Sequence, residues 1–207
     1  MTRSQYYDRL RALAREVRLE HSLTSPRVTL SDMRRIYKAY GIRIVYWRHR
    51  MRKLRGAYFR DETGAHVMVD ATLPDEQRIF TLAHELKHHL AGDDPAERSD
   101  DAAVSDPAEI GAEVFAAELI FPDQDFAAAL GQAGVVLGVC PAEAIVRLKH
   151  DSRTTLSYAA LAKKAVFLGF APRGAFEKVF WKKLEENVYG EPLYKRINRR
   201  RQQRGSG

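Results

Sequence analysis

The chain of 207 residues has a single cysteine, Cys140, so it cannot contain an intrachain disulfide. It has no apolar run long enough to span a bilayer. Its first 20 residues carry five arginines and no apolar stretch of the kind found in a signal peptide. These absences exclude a disulfide-stapled secreted domain and an integral membrane protein, and they predict a cytoplasmic protein without membrane contact.

Acidic residues are scarce near both ends of the chain. Residues 1–60 hold 16 Lys and Arg against 4 Asp and Glu, and the final basic stretch holds six cations. Two segments concentrate this charge, Arg48–Arg55 and Lys195–Arg204. Either one can contact nucleic-acid phosphates without much selectivity. The alternative is a charged turn and a solubilising tail.

The length and composition suit one hydrophobic core. Hydrophobic residues make up 45% of the chain and charged residues 29%, which is enough apolar material for a compact unit of this size. We therefore predict a single domain over residues 1–191 and a flexible basic tail over residues 192–207.

The segment His84-Glu85-Leu86-Lys87-His88 carries the strongest chemical signal. A helix places residues four apart on one face, so His84 and His88 aim their imidazoles at one point that can hold a zinc ion. Glu85 leaves the helix about 100° away from His84, where its carboxylate can act as a general base without being a ligand. Acidic residues precede this segment and Gly92 follows it, which predicts a helix over 75–91. The alternative is a pair of ordinary histidines on an amphipathic helix.

A catalytic zinc ion needs a third protein ligand, and Glu109 is the best candidate. Asp106-Pro107 is typical of a helix start, and helical spacing continues from there until Pro122. Glu113 shares a face with Glu109 in an otherwise apolar run, where bare carboxylates would be costly to bury. A metal ion with a hydrogen-bonded histidine would offset that cost.

Two segments resemble the signatures of the ImmA/IrrE-type zinc metallopeptidases. Thr81–His88 follows T-x-A-H-E-x-x-H, and Glu109–Pro122 follows E-x-x-A-(N/D/E)-x-F-A-x-x-L-x-x-P. A third segment, Leu137–Leu148, is similar to another stretch of that family, which usually has Ser where this chain has Cys140. The resemblance covers roughly residues 56 to 150.

The resemblance implies a role for each matching residue. His84, His88 and Glu109 correspond to the zinc ligands and Glu85 to the general base. Glu113 stands where a polar group can orient a ligand histidine. The chain departs from the pattern at Gly111, where relatives commonly have a second Glu.

The implied function is that of a zinc-dependent endopeptidase. Its expected substrate is a partner helix-turn-helix transcriptional repressor, which it cleaves or inactivates in a mobile-element or stress-response circuit. Tyr58 and Arg147 are candidates for stabilising the oxyanion.

The alternative function is a non-catalytic zinc-containing module that binds nucleic acid or a repressor through its basic segments. A structural zinc site fills its fourth position with protein, whereas a catalytic site leaves it open. Cys140 and His89 are the candidates for a fourth protein ligand.

The predicted fold is α+β and zincin-like, with a small antiparallel sheet beside the zinc-binding helix and a mostly helical C-terminal part. Strands are expected at 42–47, 56–60 and 65–70, the last two forming a hairpin. Within the third strand, His66, Val67, Met68 and Val69 are candidates for an edge that pairs with an extended substrate. An ordinary strand without a ligand is the alternative. Further helices are expected near 123–131, 141–150, 156–168 and 175–188.

Overall fold

The computed structural model describes residues 2–48, 54–92, 106–191 and 195. It confirms the α+β class: the described residues form eight helices and a small three-stranded sheet. In chain order the elements are α1 (Arg3–Glu20), α2 (Leu30–Ala39), β1 (Ile42–Trp47), β2 (Gly56–Asp61), β3 (Gly64–Asp70), α3 (Asp75–Ala91), α4 (Pro107–Ile120), α5 (Asp123–Gln132), α6 (Ala142–Ser152), α7 (Tyr158–Phe167) and α8 (Trp181–Tyr189). None of these helices combines the length and apolar character that crossing a membrane requires.

The sheet is mixed, with strand order β1-β3-β2. β2 and β3 form the expected antiparallel hairpin, in which Tyr58 lies opposite Val67. β1 runs parallel to β3, with Ile44 opposite Val67. The prediction of an antiparallel sheet is therefore wrong for β1. Because β2 already occupies one side of β3, β1 pairs with the other side.

The described residues group into two compact units. The first contains the chain up to Phe126 together with Ser152–Ser157, and the second contains Ala127–Asp151 and the residues from Tyr158 onwards. The single domain over residues 1–191 stays a prediction.

In the first unit, α3 packs on the sheet and against α2 and α4, and α1 packs along α4. The buried side chains at its centre include Met33, Ile36, Leu82, Leu86 and Phe115. The helix α3 has the predicted bounds. Its end is set by Gly92, whose φ of 69° is the left-handed conformation that glycine adopts without steric cost.

The second unit is helical. The connection before α6 is tied to the segment after α7 by backbone hydrogen bonds from Gly138 N to Gly169 O and from Cys140 N to Phe170 O. Tyr158 stacks on Trp181 with ring centroids 5.3 Å apart. The last helix begins at Trp181, six residues later than predicted, because residues 173–178 form turns instead of a first helical turn.

Candidate metal centre

The helix α3 brings His84 and His88 together as their spacing predicts. Their Nε2 atoms are 3.4 Å apart. His88 is completely buried, whereas the His84 side chain is 18% exposed. The pair therefore lies at the boundary between the core and the surface.

Glu109 joins this pair from the first turn of α4. Asp106 caps that helix by accepting a hydrogen bond from Ala108 N at 2.9 Å, and Pro107 begins it. Glu109 then places Oε2 3.1 Å from His84 Nε2 and Oε1 3.5 Å from His88 Nε2. Two helices thus converge on one point.

The spacing of these donor atoms fits a zinc ion. Ligand atoms at the corners of a tetrahedron with bonds of roughly 2.0–2.1 Å are about 3.3 Å apart. The three donor pairs are separated by 3.1, 3.4 and 3.5 Å. In the described parts of the chain, His84, His88 and Glu109 are the one group of three or more His, Cys, Asp or Glu residues clustered closely enough to hold a metal ion.

Glu85 is buried beside this cluster and is held by the sheet. Its Oε2 accepts a hydrogen bond of 2.9 Å from the backbone N of Tyr58 in β2. The buried hydroxyl of Tyr37 donates to Leu82 O at 2.6 Å, and burial, followed by the charge of Glu85, raises the pKa of Tyr37 well above its usual value. The environment of Glu85 therefore combines a backbone donor with a neutral phenol.

Gly56 allows α3 to lie this close to β2. A Cβ atom at this position would stand 2.5 Å from Thr81 Cγ2 and 3.5 Å from Glu85 Cγ. A glycine within a strand signals such a close backbone approach. The sequence therefore contained an indication of this contact that the motif alone did not give.

Gly111 faces away from the histidines and packs against α1. A Cβ atom there would be 2.7 Å from Leu10 Cδ1 and 2.9 Å from Tyr6 Oη. The second Glu that relatives commonly carry at this position is therefore replaced by a close helix contact. Glu109, and not position 111, supplies the carboxylate of the cluster.

The substrate strand predicted at His66–Val69 is placed incorrectly. β3 lies between β1 and β2, so both of its edges are paired. Val67 and Val69 are fully buried, and the His66 ring stacks on Phe59 with centroids 5.2 Å apart. Among the described strands, the one beside α3 with an outer edge is β2.

The other predicted site residues are Glu113, Tyr58 and Arg147. Glu113 has an exposed side chain, and its orienting role stays a prediction. The hydroxyl of Tyr58 lies 3.2 Å from His89 Nδ1, and burial, followed by the charge of Arg60, lowers the pKa of His89. Arg147 lies on α6 in the second unit. The oxyanion roles of Tyr58 and Arg147 stay predictions.

Most of both basic segments lies outside the described residues, which include neither 49–53 nor 196–207. Lys195 is described and forms an ion pair with Glu186 of α8. The prediction of nucleic-acid contact through Arg48–Arg55 and Lys195–Arg204 is therefore not tested by the structure.

A family comparison agrees with this site. The family model described as Peptidase_M78, IrrE N-terminal-like domain, matches residues 37–164, which is more than half of the chain and includes both α3 and α4. A comparison with curated proteins gave no match. The chain therefore belongs to the ImmA/IrrE-type family of peptidases, and its function is of the metallopeptidase type.

Proposed function

We propose that the protein is a zinc-dependent endopeptidase that acts on a partner helix-turn-helix repressor. The observation that carries this proposal is the convergence of His84, His88 and Glu109 at the spacing of zinc ligands, with Glu85 on the same helix. Two imidazoles and a carboxylate are a common ligand set of catalytic zinc.

The surroundings of the cluster support catalysis over a structural role for the metal. No fourth His, Cys, Asp or Glu from the described ranges belongs to the group. His89, one candidate for that position, directs Nδ1 to Tyr58. Glu109 is 34% exposed and His84 18%, so the site reaches the surface where a peptide can enter. An open coordination position is what distinguishes a catalytic zinc site.

The residues of the chain account for the proton transfers. Bound zinc supplies a Lewis acid that polarises the scissile carbonyl and lowers the pKa of water. Glu85 takes the proton of the attacking water and passes it to the leaving amine. The Tyr58 amide holds the Glu85 carboxylate at 2.9 Å, which limits its motion between these two steps.

The substrate assignment rests on the family resemblance and on the shape of the sheet. The resemblance implies a repressor whose cleavage or inactivation derepresses its operon in a mobile-element or stress-response circuit. An extended segment of such a protein can pair with the outer edge of β2, which runs past Glu85.

The decisive variant is Glu85→Gln, and Glu76→Gln is its matched control. Glu76 is exposed in the first turn of the same helix and lies outside the cluster. We expect Glu85→Gln to retain zinc and to lose cleavage of a partner helix-turn-helix repressor, because it lacks the base and keeps all three ligands. Zinc content is measured by mass spectrometry, and repressor integrity and operator release are followed over time.

The outcomes separate the parts of the proposal. Loss of zinc from Glu85→Gln would show that Glu85 is a ligand. Full cleavage by Glu85→Gln would show that Glu85 is not the general base. A repressor that stays intact and operator-bound with zinc-loaded wild type would overturn the substrate assignment.

A further inference from the structure

Lys87 is a buried charge that the proposed mechanism does not use. In the sequence of α3 it stands between the two histidines His84 and His88, and its side chain is completely buried. Burial of an ammonium group is costly unless hydrogen bonds or charges compensate it. The contacts of a buried lysine therefore fix the position of the groups that it touches.

Two contacts of Lys87 lead to neighbouring helices. Its Nζ donates to Ala108 O at 3.0 Å, and Ala108 precedes Glu109 in the first turn of α4. The same Nζ lies 5.9 Å from the ring centroid of Tyr6 on α1. Lys87 thus contacts the backbone one residue before the carboxylate of the metal centre.

Just beyond its first turn, α4 packs closely against α1. Tyr6 Oη and Leu10 Cδ1 lie within 2.9 Å of where a side chain at Gly111 would begin. Tyr6 therefore contacts both Lys87 and the α4 backbone two residues after Glu109. Three helices meet around this turn.

We propose that Lys87 is a positioning residue: it holds the first turn of α4 so that the Glu109 carboxylate stands at ligand distance from His84 and His88. This inference rests on the proposed function, because it requires Glu109 to be a metal ligand. Residues that orient metal ligands from outside the coordination sphere typically change metal affinity by about 10- to 100-fold when they are replaced.

A purely structural role would have a different signature, and Arg18 provides the matched control. Arg18 is a buried cation on α1 whose Nη1 donates to Leu119 O at 2.7 Å and to Ile120 O at 3.2 Å. Lys87→Met and Arg18→Met each remove a buried cation that binds carbonyls of α4. Only Lys87 binds the end that carries Glu109.

The test compares the full-length wild type, Lys87→Met and Arg18→Met. Zinc affinity is measured by competition with a chromogenic chelator, thermal unfolding is followed without metal, and the visible spectrum of the cobalt-substituted protein reports the ligand geometry. We expect both variants to unfold at a lower temperature. We expect Lys87→Met alone to lose about 10- to 100-fold in zinc affinity and to show an altered cobalt spectrum.

A folded Lys87→Met protein with wild-type zinc affinity and cobalt spectrum would overturn the inference, as would equal losses of affinity in Lys87→Met and Arg18→Met. If Lys87→Met does not fold, Lys87→Gln takes its place with the same expected loss. Absence of zinc binding by the wild type would overturn the proposed function itself, which distinguishes the two failures.

Discussion

A buried cation binds backbone carbonyls at each end of α4, Lys87 at the start and Arg18 at the end. The glutamate next to each of these contacts has a different environment. At the start, Lys87 binds Ala108 O, and Glu109 faces two histidines while remaining 34% exposed. At the end, about 13.5 Å further along the helix, Glu118 is 2% exposed and accepts hydrogen bonds from Arg15 Nη1 and Asp123 N. Two glutamates of one helix therefore differ in role because their neighbours differ: Glu109 is a candidate metal ligand, and Glu118 is a partner in a structural ion pair.

The comparison is tested most strongly by Glu109→Gln and Glu118→Gln. We expect Glu109→Gln to lower zinc affinity by more than about 100-fold, since removal of a ligand exceeds the effect of an outer residue. Glu118→Gln should leave zinc affinity unchanged and lower the free energy of unfolding by about 1 kcal/mol, because it weakens part-buried hydrogen bonds of a charged carboxylate. Chelator competition and urea unfolding measure the two quantities. Comparable zinc loss in both variants would contradict the division of roles.

A smaller effect is expected at the contact between α1 and α4. Gly111→Ala inserts a methyl group toward Leu10 and Tyr6, and we expect it to lower the free energy of unfolding by about 1 kcal/mol, because the ends of those side chains can shift to relieve part of the overlap. Gly131→Ala in α5 is the control: nothing lies within 4 Å of its Cβ position, so it should stabilise the protein by about 0.4–1 kcal/mol. Urea unfolding measures both. If Gly111→Ala raised the free energy of unfolding instead of lowering it, α1 would not confine α4.

The smallest effect is expected at the cap of α4. Asp106→Ala removes the acceptor for Ala108 N, and its expected cost in the free energy of unfolding is about 0.5–1 kcal/mol. Asp106→Asn keeps an acceptor at the same place and should be nearly neutral. Thermal unfolding of the two variants measures the difference. A larger loss of zinc affinity in Asp106→Ala than in Lys87→Met would show that the cap, and not Lys87, positions Glu109.

The three residues of the cluster could be predicted because each depends on helical spacing. His84 and His88 are one turn apart on a helix whose end at Gly92 was visible in the sequence, and Glu109 follows a recognisable start at Asp106-Pro107. Local rules of this kind survive in the fold because the core face of each helix is fixed by its own periodicity.

Strand order and the burial of individual side chains were not predicted, because no local sequence pattern encodes them. Residues His66–Val69 have the composition of a strand, but whether that strand is central or at an edge depends on where β1 pairs. Glu113 is exposed on α4, which its place in an apolar run did not indicate, and its orienting role stays a prediction. The burial of Lys87 depends on α1 and α4 together, so the motif gave no indication of it.

The donor that holds Glu85 belongs to the main chain at residue 58 and not to a side chain. Every amino acid except proline supplies that amide. A substitution at residue 58 therefore leaves the donor to Glu85 in place. What restricts the side chain there is its own burial and its edge contact with the His89 ring.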